Sequence, residues 1–159
     1  MQFSMEPAQA QLTQTIRELA ACNRMSERYG LTLSPGQMRS LAERRSEALR
    51  NTGRVEFGGG ILKTLIYTFC DSPDLSQEDY EATLSELQDL FYWFKNETGD
   101  HLSDDELLHA MRVVFDRAHG ALERLVDTPP ETLYRIARGD GLQENTDENS
   151  DEDEGDDDE

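Results

Sequence analysis

Apolar residues recur along this chain at spacings of three and four, and the pattern reads as helix over most of its length. Near residues 8–28, Leu12, Ile16 and Leu19 mark one helical face, and Gly30 supplies the stop. Leu31-Thr32-Leu33 is extended in character. Ser34-Pro35 then opens a second helix: a capping hydroxyl, followed by proline at the first helical position, where the missing N–H is no loss. This helix carries Met38, Leu41, Ala42 and Leu49 and is expected to end between Asn51 and Gly53. Arg54-Val55-Glu56-Phe57 alternates polar and apolar, as a short strand does, and its natural pairing partner is 31–33.

Residues 61–70 form an apolar helix bounded by Gly60 and by Asp71-Ser72-Pro73. Such a helix belongs in the centre of a bundle. Ser76 is the expected cap of the clearest element, in which Tyr80, Leu84, Leu87, Phe91 and Phe94 sustain a core stripe that Leu90 and Trp93 widen; Gly99 ends it. Because Phe91, Tyr92, Trp93 and Phe94 cover more than one helix face, part of that aromatic run is a candidate for exposure. Ser103-Asp104-Asp105-Glu106 is a capping box. It starts a helix with Leu107, Leu108, Met111, Val114 and Phe115 that either continues past Gly120 or breaks there. Thr128-Pro129-Pro130-Glu131 begins a last short helix through Leu133 and Ile136, stopped at Gly139. The predicted fold is mainly α: a single compact helical domain of about five or six helices over residues 6–139, with at most one small two-stranded β element (31–33 with 54–57).

Charge changes the picture at the C-terminus. The 159 residues carry 34 acidic and 15 basic groups, a net charge of −19. Twelve of the acids and none of the bases fall in residues 140–159, which leaves the body at about −7. With almost nothing apolar to bury, 140–159 reads as a disordered acidic tail. No apolar run approaches the ~20 residues that span a bilayer, so no membrane partner is expected. The start, MQFSMEPAQAQ, lacks the basic and apolar regions of a secretory signal. Cys22 and Cys70 are far apart and form no CxxC. A reduced, cytoplasmic location is the expectation. Arg39, Arg44, Arg45, Arg50 and Arg54 crowd one helix and its exit, but Glu43 and Glu47 offset them and the body is net acidic, which argues against a nucleic-acid partner. The crowd reads as a solvated face with ordinary ion pairs, or as a receiver for an acidic partner or for the chain's own tail.

Chemistry is scarce. The stretch GRVEFGGGILKTLIYTFCDSP invites comparison with a phosphate-binding loop, but Leu62 stands before Lys63 where glycine is required, and Phe57 replaces the first glycine. No nucleotide is expected. One Glu-x-x-His step, Glu106 to His109, falls short of the two that a di-iron bundle needs, and Glu106 already has a capping role. KNETGDHLSDDE fails as a calcium loop, with Lys95 at the first ligand position and Asp100 at the obligatory glycine. There is no GxSxG, and Cys70 at a helix end reads as a packing residue. No catalytic residue, metal or cofactor is therefore assigned. The best place for a ligand or partner is the glycine loop with its neighbours: Arg54, Glu56, Gly58, Gly59, Gly60 and Asp71.

The strings GRVEFGGGI, LIYTFCDSP, YEATLSELQDLFYWFKNE and LSDDEL resemble a family of small bacterial proteins classed as a domain of unknown function. The likeness runs from about Tyr29 to about Leu125. It implies a bacterial, cytoplasmic, mostly helical protein and supplies no activity, cofactor or catalytic residue. Three function classes follow. A non-enzymatic interaction or regulatory module leads, with an unknown protein partner. A small-ligand-binding protein or enzyme using loop 53–60 is the alternative, and an acidic mimic or decoy working through the tail is the third.

Overall fold

The computed structural model describes residues 7–58 and 60–139. Among these the chain is helical, with seven α-helices and no strand. They fall into two compact units, one ending at Asn96 and the other beginning at Glu97. The acidic tail predicted over 140–159 and the glycine at 59 lie outside the described residues.

The first unit holds α1 (Pro7–Ser26), α2 (Pro35–Thr52), α3 (Leu62–Phe69) and all but the last residue of α4 (Tyr80–Glu97). A single 3-10 turn, Glu27–Tyr29, extends α1 and ends at Gly30, which takes the left-handed conformation (φ 78°) that glycine adopts without penalty. Ser34 caps α2 as expected: its Oγ accepts from the Gln37 N–H at 3.2 Å, while Gln37 Oε1 accepts from the Ser34 N–H at 2.9 Å. α1 packs against both α2 and α3. The core joins Leu19, Leu41, Leu65, Phe69, Leu84, Leu87 and Phe91, all almost completely buried. Burying each contributes roughly 1.5–3 kcal/mol. α3 is less enclosed than its sequence suggests, since Tyr67 and Lys63 face outward while Leu62, Leu65, Ile66 and Phe69 face in. In the aromatic run of α4, Phe91, Tyr92 and Phe94 are buried and Trp93 is half exposed.

The predicted β element does not form, and side-chain amides are the reason. Asn23 Oδ1 accepts from the Leu33 N–H and its Nδ2 donates to the Leu33 carbonyl, both at 2.9 Å. Gln77 treats Thr32 in the same way, at 2.8 and 3.0 Å. Two amides thus take the ladder positions that a neighbouring strand would have filled. On the other side, the Glu56 carbonyl accepts from Gln11 Nε2. α4 also begins later than Ser76 implies. Ser76 closes a turn instead, accepting from the Asp79 N–H through its carbonyl (3.2 Å) and its Oγ (3.4 Å), and the helix starts at Tyr80.

The second unit holds α5 (Asp104–Arg117), α6 (Leu122–Val126) and α7 (Pro130–Ala137). The capping box forms: Ser103 Oγ accepts from the Glu106 N–H at 3.1 Å and Glu106 Oε1 from the Ser103 N–H at 2.9 Å. α5 packs against α6 and α7. Leu107, Met111 and Phe115 meet a core completed by Leu125, Leu133 and Ile136. The chain does break at Gly120. His119 (φ 54°) and Gly120 (φ 82°) are both left-handed, which an α-helix cannot continue through. Among the described residues, no helix is long and apolar enough to cross a membrane.

Candidate functional site

The exit of α2 builds the loop that the sequence singles out. Gly53 (φ 69°) caps the helix, and the Arg54 N–H returns to the Leu49 carbonyl at 2.9 Å. The next four residues alternate, but in the sense opposite to a strand packed on a core. Glu56 turns inward; Val55 and Phe57 stand outward, 78% and 85% exposed. Arg54 lies along the surface, where its Nη1 donates to Asn96 Oδ1 at 2.7 Å, and Asn96 Nδ2 donates in turn to the Thr52 carbonyl at 2.9 Å.

Beneath the loop lies a residue that periodicity had placed among surface arginines. Arg45 is buried, its side chain only 3% exposed. Its Nε donates to Glu56 Oε1 at 3.0 Å and its Nη1 to Thr15 Oγ1 of α1 at 3.3 Å. The Tyr92 hydroxyl of α4 donates to the same Glu56 oxygen in a short hydrogen bond of 2.5 Å. Burial raises the Tyr92 phenol well above its ordinary range, and the adjacent Glu56 carboxylate raises it further. It therefore stays a neutral donor. Gly60 closes this arrangement at φ +81°. A Cβ there would stand 2.2 Å from Arg45 Nε and 2.6 Å from Glu56 Oε1, so the glycine is required both by its backbone angle and by the side chains against it. Gly58 (φ +68°) has open space around it and is required only by its angle.

Of the predicted site residues, Glu56 and Gly60 meet beside Arg45, Arg54 bonds to Asn96 on the surface, Gly58 stands in open space, and Gly59 is outside the described residues. Asp71 is exposed and follows α3, whose eight residues separate it from the loop by roughly 12 Å of helix. The residues that sequence reasoning missed are Arg45, Tyr92, Thr15 and Gln11. One signal was available: a buried arginine needs a carboxylate, and Glu56 is an acid between two apolar residues.

The remaining arginines are dispersed. Arg39 pairs with Glu43 (3.3 Å) and Arg44 approaches Asp89 (3.9 Å), both across exposed surface. Arg44, Arg50, Glu43, Glu47 and Leu12 line a cleft of about 640 Å³ of mixed charge. A smaller cleft of about 330 Å³ lies in the second unit, lined by Val114, Arg117, Arg124, Pro129 and Ile136. Neither includes a residue of loop 53–60. Cys22 and Cys70 are buried, and burial pushes the Cys22 thiol up to about 11, the opposite of nucleophile activation.

No curated protein and no solved structure matches the chain. A family match does, over residues 18–142, which takes in α2 to α7, the C-terminal part of α1, and Arg45, Glu56 and Tyr92, but not Gln11 or Thr15. Over that span the chain belongs to a family of unknown function, DUF6323.

Proposed function

We propose that this chain is a non-enzymatic interaction module that docks on a protein partner through the tip of loop 54–57. The observation that carries the reading is the exposure of Phe57 and Val55 on either side of Glu56, which Arg45 and Tyr92 bond from below. A single exposed apolar residue needs no explanation. An Arg45–Glu56 pair under it, with the arginine buried, does, because such pairs often contribute little net stability and one role they serve is to fix a conformation. Here the conformation fixed is the one that presents Phe57. Ordering the tip in advance lowers the entropy lost on binding. The partner class that fits is a protein with an apolar pocket for one phenyl ring. An anionic membrane surface fits poorly, since the chain carries 34 acidic groups against 15 basic ones.

Small-ligand binding inside the glycine loop is disfavoured by the same geometry, because Arg45 and Glu56 fill the space beside Gly60. The test compares capture of partners by full-length protein, Phe57→Ser and Val126→Ser, the last an exposed apolar residue of the other unit. A protein retained by the wild type and Val126→Ser but lost by Phe57→Ser supports the reading. Identical capture by all three overturns it. Phe57→Ser is expected to leave stability within about 0.5 kcal/mol, so a loss of binding is not a loss of fold.

A further inference from the structure

α4 carries a polar stripe where a core helix is normally apolar. Ser85, Gln88 and Tyr92 follow at spacings of three and four, which puts them on one face. All three are buried, and Gln88 has no exposed surface at all. Tyr92 finds Glu56. Among the described residues, Ser85 Oγ, Gln88 Nε2 and Gln88 Oε1 have no hydrogen-bond partner, and neither does Arg45 Nη2. Helical side chains lean toward the N-terminus, so the Tyr92 ring lies over the turn that contains Gln88. Arg45 Nε and the Tyr92 hydroxyl share Glu56 Oε1, and the adjacent Arg44 approaches Asp89 at 3.9 Å, so Arg45 meets α4 between Gln88 and Tyr92.

Leaving a buried polar group unmatched costs about 1–3 kcal/mol, and native proteins seldom do so. Three such atoms belong to Arg45 and Gln88, with Ser85 Oγ one helical turn further along the same face, and together they call for a common partner. Its chemistry follows from the inventory. Arg45 Nη2 and Gln88 Nε2 only donate, Gln88 Oε1 only accepts, and Ser85 Oγ does both. The bound species must therefore donate and accept. It must also be uncharged, because Glu56 already balances Arg45 and the other groups are neutral, so a further ion would be buried without a counter-charge. We infer that Arg45, Ser85 and Gln88 form an internal site, beneath Glu56 and against α4, for a small uncharged molecule that donates and accepts hydrogen bonds, with water as the occupant. Buried waters of this kind make about three hydrogen bonds each.

The experiment is a crystal structure of the full chain at about 1.5 Å, combined with native mass spectrometry and the thermal stability of Gln88→Leu. Ordered water within hydrogen-bond distance of Arg45 Nη2 and Gln88 supports the site. Gln88→Leu should then lower Tm by a few degrees, because it strands the water's remaining partners. Added mass that departs on denaturation, with matching density at these atoms, also supports the site and identifies a neutral polar compound as its source. A direct Gln88 Oε1 to Arg45 Nη2 bond would overturn the inference. So would a dry stripe in which Gln88→Leu raises Tm.

Discussion

Replacing Gly60 with alanine tests how firmly the loop is tied to the helix beneath it. Two costs add. The first is conformational: a residue with Cβ at φ +81° sits in the left-handed region, at about 1–2 kcal/mol. The second is steric. The new methyl would lie 2.2 Å from Arg45 Nε, and Arg45 cannot swing aside freely because its side chain is buried and bonded to both Glu56 and Thr15. Moving it separates a buried ion pair, which costs about 3–5 kcal/mol when complete. Partial relaxation of Glu56, whose side chain is 22% exposed, reduces this, so the total expected is about 3–5 kcal/mol. Gly58→Ala is the internal control, with a similar φ of +68° and nothing within 4 Å of its Cβ, and should cost only about 1–2 kcal/mol. Urea unfolding of both variants, read as the shift in midpoint at unchanged slope, gives the difference directly. If the two variants agree within about 0.5 kcal/mol, Arg45 does not press against Gly60 and the loop is not clamped as described.

Asn23→Ala should destabilise by about 1–3 kcal/mol, since it deprives both backbone groups of Leu33 of a partner; urea unfolding measures this, and a neutral outcome would mean water replaces the amide without loss. Ser103→Ala removes one arm of the capping box and should cost about 1 kcal/mol, visible as a lower Tm. Stability should fall as pH rises above 9. Burial holds the Cys22 proton up to about 11 and the Tyr80 proton up to about 12, whereas the unfolded chain releases them from about 9 and 10. The unfolded state binds fewer protons across that window, so the slope of stability with pH is negative there. Chemical denaturation at pH 8, 9.5 and 11 checks the sign, and Cys22→Ala should remove the part that begins at pH 9.

Helices were legible because their signals are local. The stripe from Tyr80 to Phe94, the cap at Ser34, the box at Ser103 and the stop at Gly30 depend on residues within a few positions of one another. The β pairing failed because its competitors lie elsewhere: Gln77 is 45 residues from Thr32, and nothing in the alternation of 54–57 reveals that a distant amide will satisfy an extended segment. The same alternation was right about geometry and misleading about direction. Apolar positions conventionally face a core, yet here the acid faces inward because Arg45 is there to meet it. Arg45 itself reads as one cation among five on α2 and its exit, and only its long-range contacts to Thr15 and Glu56 distinguish it. The glycine run is visible in the sequence as a tight turn, and the role of Gly60 emerges only once Arg45 is known to fill the space beside it.

The guanidinium of Arg45 also sets what substitutions the chain can accept over evolutionary time. It addresses Glu56 through Nε and Thr15 through Nη1, two directions fixed by one planar group. A lysine, with one mobile ammonium, would not reproduce both. Any uncharged residue at position 45 would leave the carboxylate at 56 without its counter-charge, and any side chain at position 60 would displace the group at 45. Positions 45, 56 and 60 are therefore expected to drift together or not at all among relatives, while Phe57, one residue from this locked trio, can vary without disturbing the fold and can follow whatever surface it meets.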